Sequence, residues 1–208
     1  MMNWIWLLAT RHRIGIYCSD VSGAFDRVTA TRLLKRLQNC CIHPRFLRVF
    51  ESWLQSRTAK VVIGGISSNE FLMSDMVYQG TVWGPPFWNI FCADASNVLR
   101  LLNFIEIFYA DDLNAFKAYD MSIPDYYILD ELRSAQINLH RWGEANQVTF
   151  DGNKESFHIL SRSRPVGDSF TILGITFDCK LLMFQSVSDY CVACNWKLEL
   201  VLRRRRFF

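Results

Sequence analysis

The sequence lacks features that mark several classes of protein. No apolar run reaches the roughly 18 to 20 residues that a membrane-spanning helix needs. The opening apolar run, residues 4–8, is too short for a signal peptide and has no basic residue before it. There is no internal repeat and no linker rich in Gly, Ser or Pro. We therefore expect an intracellular protein, of the cytoplasm or nucleus, that is neither secreted nor embedded in a membrane.

Disulfides and strong net charge are also missing. Seven cysteines is an odd number, and without a secretory signal it argues against a disulfide framework. Cys191 and Cys194 form a lone CxxC; zinc would need two further ligands, and packing as small apolar residues is the better interpretation. Removing the four charges of Arg203–Arg206 from the net charge of +3 leaves −1. That run is either a phosphate-binding patch or a solvated helix end.

What the sequence does have is enough apolar material for one domain with a large core. Half of its 208 residues are hydrophobic, including 16 Phe, 7 Trp and 7 Tyr. Strand-like runs alternate with helical patterns, and at least two hairpins are indicated. The predicted strands cover residues 14–18, 59–63, 70–73, 103–109, 113–119, 156–160 and 170–177. The predicted helices begin near residues 30, 44, 85, 122 and 186. The order predicts an α+β fold, an antiparallel sheet with helices packed on one face.

Two adjacent carboxylates provide the strongest chemical signal. Phe108–Asp112 reads Phe-Tyr-Ala-Asp-Asp and lies between two apolar runs. By itself an Asp pair is most simply a turn, since Asp favours turns. The flanking strands would hold this turn rigidly, however, and a divalent cation such as Mg²⁺ relieves the repulsion between two carboxylates.

A second acidic residue follows another apolar run. Residues 14–18 lead into Ser19-Asp20, which predicts that Asp20 ends a strand. If this strand lies beside the one that bears Asp111 and Asp112, all three carboxylates meet at one sheet edge. Three carboxylates there could hold two metal ions about 3.5–4 Å apart, which suits in-line phosphoryl displacement.

These segments resemble motifs of one polymerase family. Asp20–Phe25 resembles the first palm motif of reverse transcriptases, and Phe108–Asp112 resembles their aromatic-x-Asp-Asp motif. Between them, residues 78–89 (Tyr-Gln-Gly-Thr-Val-Trp-Gly-Pro-Pro-Phe-Trp-Asn) resemble the Gln-Gly motif of the non-LTR, LINE-type retrotransposon branch. Ser22–Val28 points to the same branch. Within these motifs, Tyr78 stands where the family usually has Pro, and Phe87 where it usually has an aliphatic residue.

The resemblance extends more weakly along the rest of the chain. Residues 142–154 resemble the fourth palm motif, 170–178 the primer-grip hairpin and 196–203 the start of the thumb. It implies a short leader over 1–13, a polymerase palm over 14–184 and the start of a truncated thumb helix over 185–208. With nineteen residues before Asp20, the fingers are expected to be missing, and this chain by itself is expected to be an incomplete fragment that is weakly active or inactive.

The resemblance also implies roles for particular residues. Asp20, Asp111 and Asp112 would be catalytic and would bind two Mg²⁺ ions, with Mn²⁺ as a possible substitute. Lys154 would lie near the leaving phosphates, with a solvated turn lysine as the alternative interpretation.

Four further positions would contact the substrates. Phe25 would clash with a ribose 2′-hydroxyl and so favour deoxynucleotides. Gln79, Gly80 and Tyr109 would line the incoming nucleotide and the template strand. The implied partners are an RNA template, a DNA primer and deoxynucleoside triphosphates.

The sequence is also compatible with other interpretations. Viral RNA-dependent RNA polymerases usually carry Asp five residues after the first motif Asp, where this chain has Phe25, and Gly before the Asp pair, where it has Ala110. An intron- or telomere-type reverse transcriptase fits residues 80–86 less well. The chain could also be a non-catalytic nucleic-acid-binding or interaction remnant that keeps the fold. Its oligomeric state is left open.

Overall fold

The computed structural model describes residues 2–55, 57–73, 77–78 and 80–204; for residues 2, 57 and 200–204 it describes the backbone alone. The helices are α1 (Met2–Ala9), α2 (Ala30–Asn39), α3 (Pro44–Leu54), α4 (Gly84–Leu101), α5 (Asp125–Asn146) and α6 (Phe184–Arg204), with a 3-10 helix at Ala24–Arg27. The strands are β1 (His12–Ser22), β2 (Arg57–Ala59), β3 (Val62–Ile63), β4 (Ile66–Ser67), β5 (Phe71–Met73), β6 (Ile105–Tyr109), β7 (Asp112–Asp120), β8 (Thr149–Phe150), β9 (Ser156–Leu160), β10 (Phe170–Ile172) and β11 (Ile175–Phe177). This mixture of helices and antiparallel strands confirms the predicted fold class.

The chain forms two compact units, and neither is continuous in sequence. The first comprises the described parts of 1–18, 116–132 and 156–208; the second comprises those of 19–115 and 133–155. Strands β1 and β7 and helix α5 each contribute residues to both. The boundaries predicted at residues 13/14 and 184/185 remain predictions.

The first unit is built around the apolar part of β1. Residues Ile14 to Cys18 pair antiparallel with β9, from Ile14 opposite Leu160 to Cys18 opposite Ser156. Helix α1 packs into the same core: the ring of Trp4 lies edge-on to Phe116, with 5.4 Å between centroids. The resemblance implied a hairpin over residues 170–178, and β10 and β11 form one that turns at Leu173 and Gly174, both with positive φ.

The second unit contains a sheet in the order β6-β7-β1-β8. Its helices are fixed by a charged cluster: Arg36 of α2 donates to the Asp94 carboxylate at 2.5 Å and to Asn146 at 2.6 Å, and Trp142 donates to the same Asp94 at 2.9 Å. This arrangement links α2, α4 and the second half of α5. The segment predicted as one hairpin forms two small sheets, β2 with β5 and β3 with β4.

Two predicted boundaries at the carboxylates are corrected. Asp20 does not end its strand: β1 continues to Ser22, because Val21 and Ser22 pair with Phe150 and Thr149 of β8. Asp112 is not part of the turn but the first residue of β7. Within the described residues, no helix combines the length and hydropathy that crossing a membrane requires.

Candidate active site

The backbone of Asp20 is held from both sides within the second unit. On one side, the amide of Val21 donates to the carbonyl oxygen of Asp111 at 3.0 Å. On the other, the amide of Asp151 donates to the carbonyl oxygen of Asp20, also at 3.0 Å. The hydroxyl of Ser19 donates to the carbonyl oxygen of Leu113 at 2.9 Å, which adds a side-chain link between β1 and β7. Asp20 and the Asp111–Asp112 pair therefore lie on neighbouring segments of one sheet.

The turn between β6 and β7 presents the Asp pair. Ala110 has a φ of 53°, a left-handed conformation that is unfavourable for a residue with a Cβ and that reverses the chain tightly here. The indole of Trp88 on α4 donates from Nε1 to the carbonyl oxygen of Ala110 at 2.5 Å. Trp88 is almost fully buried, so α4 supports the turn from the protein interior. Asp111 is exposed and Asp112 is half-buried.

Lys154 lies against the first carboxylate. Its Nζ donates to Oδ2 of Asp20 at 2.8 Å, and only 15% of the Asp20 side chain is exposed. This hydrogen bond, together with the negative charges of Asp20, Asp151 and Asp111, raises the pKa of Lys154 above its ordinary value. The Lys154 side chain is 60% exposed and its ammonium group lies beside Asp20, so its role at the leaving phosphates remains a prediction.

A turn after β8 delivers this lysine. The amide of Lys154 donates to the carbonyl oxygen of Asp151 at 2.9 Å, and the amide of Asn153 donates to Oδ1 of Asp151 at 3.1 Å. Asp-Gly-Asn is a strong turn sequence because Asp and Asn side chains bond to nearby backbone groups. Asp151, whose amide holds Asp20, is therefore also the first residue of the turn that carries Lys154.

The three carboxylates do not by themselves form a closed metal cage. Among the described residues, no group of three or more His, Cys, Asp or Glu side chains is arranged to hold a metal ion. A magnesium site of the kind found in polymerases does not need such a group, because Mg²⁺ is usually held by one or two carboxylates and by substrate phosphates. The chemistry of the donor set, carboxylate oxygens on adjacent segments, fits Mg²⁺.

Phe25 lies close to the start of α4. Gly23, with a φ of 62°, ends the strand segment and lets the chain enter the 3-10 helix that carries Phe25. The Phe25 ring is 5.9 Å from the ring of Trp88, and a Cβ added at Gly84 would lie 3.7 Å from its Cε1 atom. The carbonyl oxygen of Phe25 accepts a 2.9 Å hydrogen bond from the amide of Val77. Trp88 thus touches Phe25 as well as supporting the Asp turn.

The remaining predicted substrate residues are less strongly constrained. Gly80 is exposed, and its φ of 82° would strain any other residue. Tyr109, the last residue of β6, is 64% exposed. Gln79 lies outside the described residues. The binding roles of these three residues remain predictions.

Sequence reasoning missed three supporting residues: Ser19, Trp88 and Asp151. Ser19 and Asp151 act on the strands through hydrogen bonds between segments far apart in sequence, which no local pattern reveals. A signal for Asp151 was available in the Asp-Gly-Asn turn that precedes Lys154. Trp88 could be recognised only as a buried helix residue.

The architecture defines a class: a polymerase-like palm, with two acidic segments side by side in an antiparallel sheet. Residues 7–177 match the sequence model of the family described as reverse transcriptase (RNA-dependent DNA polymerase). The chain belongs to this family. A search of curated protein sequences gave no significant match.

Solved structures with the same fold include telomerases. Apo telomerase from Candida tropicalis, truncated from its C-terminal domain, superposes with a TM-score of 0.63 at 12% identity. The alignment covers 87% of this chain and 38% of the telomerase chain, so this chain spans well under half of that relative. Telomerase from Candida albicans, in complex with a fragment of telomeric RNA, gives a TM-score of 0.48 at 12% identity, covering 79% and 29% of the two chains. At 12% identity the likeness to the Candida tropicalis structure concerns the fold alone.

Proposed function

We propose that this chain is the catalytic palm of a non-LTR retrotransposon reverse transcriptase, acting in the cytoplasm or nucleus. It would extend a DNA primer with deoxynucleotides on an RNA template. The observation that carries the proposal is the hydrogen bond from the amide of Val21 to the carbonyl oxygen of Asp111, which sets the segments of Asp20 and Asp111 side by side. Membership of the reverse transcriptase family supports the reaction, and the motif residues 20–28 and 78–89 support the branch.

The acidic residues would hold the divalent cations of this reaction. Asp20 and Asp111, with Asp112 beside them, would bind two Mg²⁺ ions, or Mn²⁺ in their place. When bound, these ions favour the ionised primer 3′-hydroxyl and neutralise charge on the leaving pyrophosphate. Because Mg²⁺ sites of this kind borrow ligands from substrate phosphates, we expect weak metal binding before a triphosphate is present.

Lys154 and Phe25 would act on the nucleotide directly. The Lys154 ammonium, which is paired with Asp20, would exchange that carboxylate for a phosphate oxygen of the triphosphate. Phe25 would exclude a 2′-hydroxyl by contact, and its ring is braced by Trp88. Together these residues would orient the triphosphate and select its sugar.

Primer extension by the purified chain tests the proposal. The assay uses an RNA template, a labelled DNA primer, deoxynucleotides and Mg²⁺, and it compares the chain with Asp111→Ala. Asp130→Ala, an exposed aspartate on α5, is the matched control. We expect slow extension that disappears in Asp111→Ala and persists in Asp130→Ala.

One alternative has a specific observation in its favour. The Lys154–Asp20 ion pair occupies one oxygen of a candidate metal ligand, as it would in a remnant that binds nucleic acid without catalysis. Binding of primer–template by a folded chain without any extension would favour this alternative. Extension that Asp111→Ala leaves unchanged would contradict the catalytic proposal.

A further inference from the structure

A half-exposed tryptophan lies just before α4. Trp83 is 46% exposed, and its neighbour Val82 is 88% exposed. Both follow the turn at Gly80, which has a φ of 82°. An indole open to solvent on a globular protein is not unusual in itself. Trp83 is unusual because other rings hold its side chain in place and because the next residue, Gly84, lies beside Phe25.

Other aromatic rings pack against the Trp83 ring and hold it in place. It stacks on Phe87, one helical turn along, with centroids 5.6 Å apart and an interplanar angle of 19°. Phe50 of α3 meets it edge-on at 5.0 Å, and Phe50 also packs against Phe87 at 5.0 Å. Phe50 and Phe87 are buried. The ring therefore presents apolar surface that loses little conformational freedom when a ligand binds.

Trp83 is also next in sequence to a residue that lies beside Phe25, the proposed sugar-contacting residue. The next residue, Gly84, is buried, and a Cβ placed there would lie 3.7 Å from the Phe25 ring and 3.3 Å from the carbonyl oxygen of Tyr78. The hydroxyl of Thr81 donates to that same carbonyl at 2.6 Å, which closes the turn. The turn that holds Trp83 thus packs onto the residues beside Phe25.

We propose that Trp83 is a stacking platform for an unpaired base of the RNA template next to the nucleotide site. The inference rests on the proposed function, because the position of Phe25 defines where the nucleotide lies. Stacking on an aromatic side chain tolerates every base, since every base has a π-face, so it would hold a template without selecting its sequence. Trp83 is then a positioning residue for the template.

The test measures binding of single-stranded RNA by the full chain. A 12-nucleotide RNA with a fluorescent end label is titrated at one fixed salt concentration, because phosphate contacts vary steeply with salt. The variants are Trp83→Leu and Trp83→Phe; the control is Trp6→Leu, which removes a more exposed indole, 64% against 46%, from α1. Thermal melts establish that each variant is folded. A second RNA carries abasic sites in place of its bases.

We expect Trp83→Leu to weaken binding about 5- to 150-fold, which corresponds to the loss of one stacked base. Trp83→Phe should weaken it less, and Trp6→Leu should bind like the original chain. On abasic RNA the chain and Trp83→Leu should bind equally. Equal binding of normal RNA by the chain and Trp83→Leu would overturn the inference. So would an equal loss on abasic RNA, or no RNA binding at all.

The outcome is separable from that of the proposed function. Asp111→Ala should retain the Trp83-dependent binding while it loses primer extension. Trp83-dependent binding without extension by the chain would count against the catalytic proposal alone. Extension with binding that is insensitive to Trp83 would count against the platform alone.

Discussion

Gly143, near the end of α5, offers a sharp test of how the lysine turn is held. The amide of Val148 donates to the carbonyl oxygen of Gly143 at 2.8 Å, which ties the helix end to the segment before β8. A Cβ added at Gly143 would lie 2.6 Å from the carbonyl oxygen of Val148 and 2.9 Å from Cε2 of Phe150. The first of these atoms belongs to the backbone and cannot rotate away. Gly143→Ala must therefore displace the β8 segment.

Two opposing effects determine how much Gly143→Ala changes the free energy of unfolding. Replacing Gly by Ala inside a helix stabilises it by about 1 kcal/mol. Overpacking of a tight site costs about 1–3 kcal/mol, and the high end applies because the contact is to a backbone oxygen. We expect Gly143→Ala to lower the free energy of unfolding by about 1–2 kcal/mol. For a chain of this length that lowers the melting temperature by about 3–6 °C.

Urea unfolding and thermal melts measure the effect, and Gly152→Ala is the matched control. Gly152 lies on the same turn, has no heavy atom within 4 Å of an added Cβ and does not require a positive φ. It should change stability by less than about 0.5 kcal/mol. Because Asp151 and Lys154 follow β8, Gly143→Ala should also slow primer extension more than Gly152→Ala does. A Gly143→Ala chain at least as stable as the original would refute the reasoning.

Two further substitutions test other parts of the structure. Phe25→Ala should admit ribonucleotides more readily in primer extension, because it removes the ring beside Trp88; unchanged discrimination between the two sugars would remove Phe25 from that role. Burial of Asp178 acts to raise its pKa, but hydrogen bonds from the amides of Met183, Leu182 and Lys180, at the start of α6, hold that pKa below its ordinary value. This stabilisation is complete above the unfolded-state pKa of about 4 and is lost as the pH falls through the lower folded-state pKa. Asp178→Asn should therefore lower the free energy of urea unfolding at pH 7 and lower it less in strong acid; an equal effect at both pH values would contradict this account.

The sequence allowed the elements around the carboxylates to be predicted, but not their exact ends. Helices α3 and α4 begin at or beside the prolines that indicated them, because Pro suits the first turn of a helix. Asp20 was expected at a strand end because polar residues follow an apolar run. The strand continues because β8, about 130 residues later, supplies partners for Val21 and Ser22. Pairing over such a distance leaves no local signal.

The contacts between residues of the candidate active site were also not predictable from the local sequence. The resemblance indicated Asp20, Asp111 and Lys154 individually, and the turn residues around Asp151 explain how Lys154 is presented. The ion pair between Lys154 and Asp20 joins residues 134 positions apart, so only the folded chain reveals it. The support of the Ala110 turn by Trp88 is hidden for a different reason, since a buried tryptophan in a helix is normally a core residue.

A substitution at Trp88 would affect two parts of the candidate active site together. One indole bonds to the turn that carries the acidic pair and also packs against the ring of Phe25. A smaller side chain at this position would release both neighbours at once. The position of the Phe25 ring and the placement of the carboxylates therefore cannot be adjusted independently through residue 88. If Phe25 selects the sugar as proposed, a substitution of Trp88 that relaxed this selectivity would also loosen the acidic turn.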